Sequence, residues 1–259
     1  MQVGIHLGFQ NLHGLPDYEF FRRETQLAVE AEAMGFDFAA AVEHHFTDYA
    51  ACPDPIQLLT WVAAKTKTIK LMPAAVILPW NDPLRVVEKA AMLDALSEGR
   101  LILGMGRGAA RREFAGFRRD LADSRELFDE AALIIMDGLE TGTVKANTKH
   151  FQQPEVEIRP RPEGWTRERM LMVSMSPSSA EVAAEYGLKA LRFSQGDWSH
   201  SMNEINAYRS TFQAKHGKAA PPFVISDFVV CVDSECSSGA SCHSAMRAAM
   251  NPRPNFVSG

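Results

Sequence analysis

An α/β protein of the (β/α)8 TIM-barrel type, apparently truncated after its seventh strand, is the fold class that this sequence predicts. Three observations predict it. Strand-like runs alternate with helix-like runs, which implies parallel strands joined by right-handed crossovers. Seven such strands follow one another with no long linker and no sign of a reversal in strand order, which favours a barrel over a doubly wound sheet. Chemically active residues gather directly after strands, where a barrel has its mouth.

The elements follow in order. Val3 to Phe9 alternates β-branched with small residues and reads as a strand, closed by the Gly14 to Pro16 turn, after which Asp17 can cap a helix. Leu27, Ala31 and Met34 recur at helical spacing until Gly35, and a strand from Phe36 to Val42 follows at once. A helix near Asp54 to Ala64 and a strand from Ile69 to Leu78 come next. Asp82 and Pro83 then read as N-cap and first-turn proline of a helix ending at Gly99. After a strand at Leu101 to Met105 and a Gly/Arg-rich loop, Asp123 with Glu126 gives a capping-box signal for a helix reaching Met136, with its stop at Gly138. Residues 139–168 read as an insertion, punctuated by Gly142, Pro154, Pro160 and Gly164, with at most a short strand at Val156 to Ile158. Met170 to Val173, Ala190 to Phe193 and Phe223 to Val232 complete the strands, interleaved with helices at Ser178 to Tyr186 and Met202 to His216. The barrel domain is thus expected over residues 1–233. Residues 234–259 have no apolar period that would provide an eighth strand and are expected to form an atypical, poorly ordered tail.

At 259 residues, with 46% apolar and 23% charged residues, the composition is that of a soluble globular protein, and no run approaches the length of a membrane span. A net charge of −5 argues against a polyanion such as nucleic acid as partner. The start lacks a signal-peptide pattern, so a cytoplasmic location is expected. The four cysteines form no CxxC, so neither a zinc knuckle nor a disulfide framework is indicated.

Glu43, His44 and His45 end the second strand. Imidazole titrates near neutrality, so a histidine at the mouth can exchange a proton with a reacting oxygen. Adjacent residues on an extended segment point to opposite sides, so the two histidines do not easily chelate one ion; one facing the mouth and one packing beneath a helix or a subunit partner is the alternative, and a metal role or no role stays open. Gly104-Met105-Gly106-Arg107-Gly108 lacks the spacing of a dinucleotide fingerprint. Ser174-Met175-Ser176-Pro177-Ser178-Ser179-Ala180-Glu181 places hydroxyls where a helix N-terminus begins. It reads either as an anion site or as a plain capping box of Ser178 with Glu181.

With Ala74 to Pro79, Asp82 to Arg85, Leu93 to Arg100 and Asp123 to Arg125, these motifs resemble the bacterial luciferase-like flavin-dependent monooxygenases, in register to about Asp233. The resemblance implies a barrel that uses reduced FMN and dioxygen to oxygenate a small, apolar organic substrate through a C4a-hydroperoxyflavin. It makes His44 the catalytic residue and sets Glu43 near the flavin ring. It also places a non-prolyl cis peptide at Ala74-Ala75 against the isoalloxazine, where a tight barrel interior is the other reading. Arg107 and Arg125 match arginines that hold the FMN phosphate, with Ser176, Ser178 and Ser179 as the other half of the cradle. Gly106 and Met175 stand where light-emitting members carry a cysteine and an acidic residue, which argues against bioluminescence. Trp80, Phe193 and Trp198 either wall the ring or belong to the core. A separate flavin reductase would supply the cofactor. A dimer, of two copies or with a related chain, would form through the helices after the second and third strands, with Ala90, Ala91 and Ala95 permitting close approach. A non-catalytic flavin-binding relative or truncated remnant, and a metal-dependent hydrolase, are the alternatives.

Overall fold

The computed structural model describes residues 1–11, 14–47, 50–194 and 198–229. In chain order the elements are β1 (Gly4–Leu7), α1 (Asp17–Ala33), β2 (Phe38–Ala41), α2 (Pro55–Ala63), β3 (Lys70–Pro73), β4 (Val76–Ile77) and α3 (Pro83–Leu96). They continue with β5 (Leu103–Gly106), α4 (Arg111–Gly116), α5 (Ser124–Thr141), β6 (Thr143–Asn147) and β7 (Gln152–Glu157). The last are β8 (Met170–Val173), α6 (Pro177–Glu185), β9 (Lys189–Phe193), α7 (Trp198–His216) and β10 (Val224–Ser226).

Two parallel series of strands build the barrel wall, β1-β2-β3 and β4-β5-β8-β9-β10. β3 and β4 are halves of one strand position, the stretch expected as Ile69 to Leu78, and between them the Ala74-Ala75 peptide is cis. A parallel bridge between Leu71 and Leu101 carries the wall from one series to the other. At the opposite ends of the two series, His6 of β1 and Ser226 of β10 meet through their side chains at 2.9 Å. Among the described residues seven strand positions therefore surround one interior. The expected truncation after the seventh strand, the tail and the Val230 to Val232 end of the expected last strand concern residues outside the described ones.

Period-two alternation sorts the strand residues onto two faces. Leu7, Ala39, Ala41, Leu71, Leu103 and Met105 face outward, in one buried cluster with Ala28 of α1, Leu59 of α2, Val87 of α3 and Ala131 of α5. Ala40, Met72, Ala74, Leu171 and Leu191 face inward as a second, smaller cluster. At Gly104 and Gly106 the strands approach too closely for a side chain. A Cβ on Gly104 would lie 2.1 Å from the Pro73 carbonyl oxygen, and one on Gly106 would lie 3.1 Å from the Ala75 Cβ.

The helices start where short polar side chains meet a proline. Asp54 accepts from the Gln57 N–H and Asp82 from the Arg85 N–H, each with proline at the first helical position. Four expectations are corrected. Asp123 makes no side-chain cap bond, because Glu126 is drawn away by the β6–β7 turn, accepting from Lys149 Nζ at 2.7 Å and lying 3.1 Å from His150 Nε2. Gly138 does not stop α5: its missing side chain lets Val144 and Val87 pack against the helix, which runs on to Thr141 and ends at Gly142, with φ 76°. The insertion holds a two-stranded antiparallel hairpin, β6 with β7, where only Val156 to Ile158 was expected. Ala90 and Ala91 pack inside this chain's own core and are not free for a partner helix; Met92, Ala95 and Leu96 are the exposed residues there.

Candidate active site

The C-terminal ends of the strands gather the residues that carry chemistry, as in barrels generally. His44, three residues beyond the end of β2 at Ala41, is fixed by its own backbone, which donates to the Cys52 carbonyl at 2.9 Å. Its Nδ1 lies 2.9 Å from Oε1 of Glu113, a residue of α4, and the same oxygen accepts the His45 backbone N–H at 2.9 Å. The Glu113 side chain is 4% exposed and that of His44 40%. Burial pushes the Glu113 carboxyl upward, but the bond and charge of His44 and the His45 N–H outweigh it, and the group is held below the usual glutamate range. An ionised carboxylate can only accept, so His44 donates from Nδ1 and presents Nε2 as its remaining ring nitrogen. Carboxylate, imidazole and open nitrogen make an oriented proton carrier.

His45 turns the other way. Its Nε2 lies 3.2 Å from Glu43, and its ring meets Trp80 and Phe117 edge-on. Glu43 is buried and also accepts from the Ile77 N–H (2.9 Å), Trp80 Nε1 (2.7 Å) and Asn81 Nδ2 (3.1 Å). All its described partners belong to the protein, and it ties β2 to the turn after β4 directly beside the cis Ala74-Ala75 peptide. Trp80 is accordingly held inside this network, while Trp198 is exposed at the start of α7.

The expected phosphate cradle is spread over two neighbouring strand ends, since β5 pairs with β8. Arg107, just after β5, donates weakly to Ser124 Oγ at 3.4 Å, and Arg125 opens α5. Both guanidiniums act on Asp129, whose carboxyl burial pushes above the usual aspartate range while Arg125 and then Arg107 oppose the rise. The two arginines thus share one neighbourhood. Across from them, the capping box at the start of α6 is Ser176 with Ser179, not Ser178 with Glu181: each side chain meets the other's backbone N–H, and Ser178 Oγ adds a 3.1 Å contact to Ser176. Among the described residues no hydrogen bond joins the arginines to the serines; the adjacency of β5 and β8 brings them to one side of the mouth.

Two participants escape a reading of the sequence. Glu113 lies in a stretch read as a Gly/Arg-rich loop; the signal is Glu113-Phe114, a buried pair on a one-and-a-half-turn helix flanked by exposed Arg111 and Arg112. His6 occupies an inward position of β1, in register with Ala40 of the inner cluster, where its polarity breaks an otherwise apolar pattern.

Comparison with known proteins decides the family. The family model for luciferase-like monooxygenases matches residues 1–253. The chain belongs to the luciferase-like monooxygenase family. It is 33% identical over 174 residues to the alkanal monooxygenase alpha chain of the Kryptophanaron alfredi symbiont, a match covering 67% of this chain and 49% of that protein. The chain therefore spans about half the length of the curated relatives it matches. In structure it is similar to the monooxygenase RslO1 of Streptomyces bottropensis, with TM-score 0.84 and 27% identity over 96% of this chain and 77% of that one. The barrel is also shared with the oxygenating constituent of 3,6-diketocamphane monooxygenase from Pseudomonas putida, a type II Baeyer-Villiger monooxygenase solved in complex with FMN. There the TM-score is 0.78 and the identity 21%, over 90% of this chain and 68% of that one.

The residues present suit the flat ring and the phosphate of a flavin-type cofactor. Ala40, Ala74, Ala75, Gly104 and Gly106 give a floor without bulky side chains at the ends of β2 to β5. The donor set at β5 and β8 is two guanidiniums and a helix N-terminus rich in hydroxyls, which is the chemistry of a phosphate site.

Proposed function

We propose that this luciferase-like chain is an FMN-dependent monooxygenase of the two-component kind, taking reduced FMN from a separate reductase and passing one atom of dioxygen to a small, uncharged organic substrate. The observation that carries the reading is the His44–Glu113 pair, oriented and partly exposed, at the rim of a floor of alanine and glycine. Bound reduced flavin supplies the electrons for oxygen activation. Arg107 and Arg125 hold the phosphate dianion, and the N-terminus of α6, with Ser176, Ser178 and Ser179, faces it with backbone donors. Ala74 and Ala75 line the flat face of the ring, and Glu43 positions them by fixing Ile77 and Trp80. His44 holds or moves a proton at Nε2, while Glu113 keeps its ring in one tautomer. The aromatic cluster of Trp80, Phe114 and Phe117 around His45 keeps water from the inner side of the rim. Pairing with a second copy or a related chain, across the exposed side of α2 and α3, belongs to the same reading.

Anaerobic titration with reduced FMN tests the site. Micromolar or tighter binding is expected in the wild type, with a loss of tenfold or more in Arg107→Ala and in Arg125→Ala. After binding, labelled dioxygen should place one heavy oxygen atom in an aldehyde or ketone substrate, and His44→Ala should lower that rate by about 10²–10⁴-fold at unchanged FMN affinity. A wild type with no affinity for reduced FMN defeats the proposal; binding with no transfer of oxygen points instead to a non-catalytic flavin carrier.

A further inference from the structure

We propose that His6 anchors the oxygen atom of an uncharged organic substrate inside the barrel, through its Nε2. The inference rests on the reading of the barrel mouth as a monooxygenase site and adds to it a residue and a substrate class.

The ring is placed on three sides. Its register partner Ala40 belongs to the inward cluster. Its Nδ1 meets Ser226 Oγ at 2.9 Å, and its face stacks on Phe193, with centroids 5.2 Å apart and planes at 26°. Ser226 and Phe193 are themselves register partners on β10 and β9, so the contacts hold the ring against the interior. Nε2 is fully buried and has no hydrogen-bond partner among the described residues. The large majority of buried polar side-chain atoms are matched in native proteins, so an unmatched one facing the barrel interior calls for a partner.

The chemistry of that ligand follows from the ring's state. Burial, and after it the charge of His44, lowers the His6 pKa to about 4, so the imidazole is neutral at pH 7. A neutral ring beside Ala40 and Phe193 gives no counter-charge to a phosphate or carboxylate, but it can bond a neutral oxygen. When Ser226 donates to Nδ1, Nε2 carries the proton and donates to a carbonyl; when the ring donates to Ser226, Nε2 accepts from a hydroxyl. His44, whose field reaches His6, is on hand for the same substrate.

The test compares cyclohexanone with cyclohexane by calorimetric titration of the full chain. His6→Phe keeps a ring against Phe193 and removes both nitrogens. The ratio of ketone to cyclohexane affinity is expected to fall about tenfold in the variant, with cyclohexane affinity unchanged within about twofold. In ¹⁵N-histidine spectra of the wild type, the His6 Nε2 resonance should shift with ketone and not with cyclohexane. A variant that binds both ligands more weakly in unchanged ratio assigns His6 a packing role and overturns the inference, as does a wild type that binds no ketone. FMN affinity, measured on the same samples, reports the flavin site separately, so the two proposals can fail independently.

Discussion

At the scale of single residues, the site depends on one carboxylate. Glu113 gives one oxygen to two donors, the His44 ring and the His45 backbone, so it sets both the tautomer of the imidazole and the path of the chain that carries it. Glu113→Gln keeps the shape but offers an amide that can turn a donor toward Nδ1. Oxygen transfer should fall by about 10–100-fold, the range seen when an orienting partner is lost, while FMN affinity changes by less than about threefold; equal turnover in the two proteins would remove Glu113 from the mechanism. The inner glycines give a second, graded expectation. Gly104→Ala drives a Cβ to 2.1 Å from a backbone carbonyl that cannot yield, whereas Gly106→Ala meets side-chain carbons at 2.9 and 3.1 Å. Urea denaturation should show a loss of at least about 1–3 kcal/mol for Gly104→Ala and a smaller one for Gly106→Ala. The reverse order would contradict the packing described.

At the scale of elements, α1 is fastened to the loop before β3 by one glutamate. Glu32 accepts from the backbone N–H groups of Lys67, Thr68 and Ile69 and from the Thr68 hydroxyl. Burial pushes its carboxyl up, but these donors prevail and hold it at about 2, against 4.5 in an unfolded chain. Because the folded value is depressed, the stabilisation is fully present above about pH 4.5 and fades as pH falls toward 2. Between pH 5 and pH 3 the urea midpoint of the wild type should therefore fall more steeply than that of Glu32→Gln, which starts lower; parallel slopes would exclude the effect. Such elements were largely legible in the sequence. Asp54-Pro55 and Asp82-Pro83 mark their helices because cap and proline act within four residues, and the barrel strands β1 to β5, β8 and β9 follow from short apolar runs between turn signals. What stayed hidden depends on distant partners. Gly138 looks like a stop until Val87 packs against it, Asp123 looks like half of a capping box until the hairpin claims Glu126, and Glu113 looks like a loop residue until it meets a histidine 69 positions earlier.

At the scale of the whole molecule, α2 and α3 carry large apolar side chains that stay exposed among the described residues. Trp61 of α2 is 44% exposed, and Met92 and Leu96 of α3 are 48% and 61% exposed. A patch of this kind marks an association surface in soluble proteins. Sedimentation velocity should show the wild type as a dimer at micromolar concentration and Leu96→Glu as a monomer; a monomeric wild type would leave that face without its assigned purpose. The same scale shows how the mouth is put together. Arg107, Glu113 and Arg125 come from one length of chain, running from the end of β5 through α4 into the first turn of α5. In the proposed reading, half of the phosphate grip and the carboxylate that orients His44 thus share one length of chain, so a single proteolytic nick between Gly108 and Asp123 would disturb both at once.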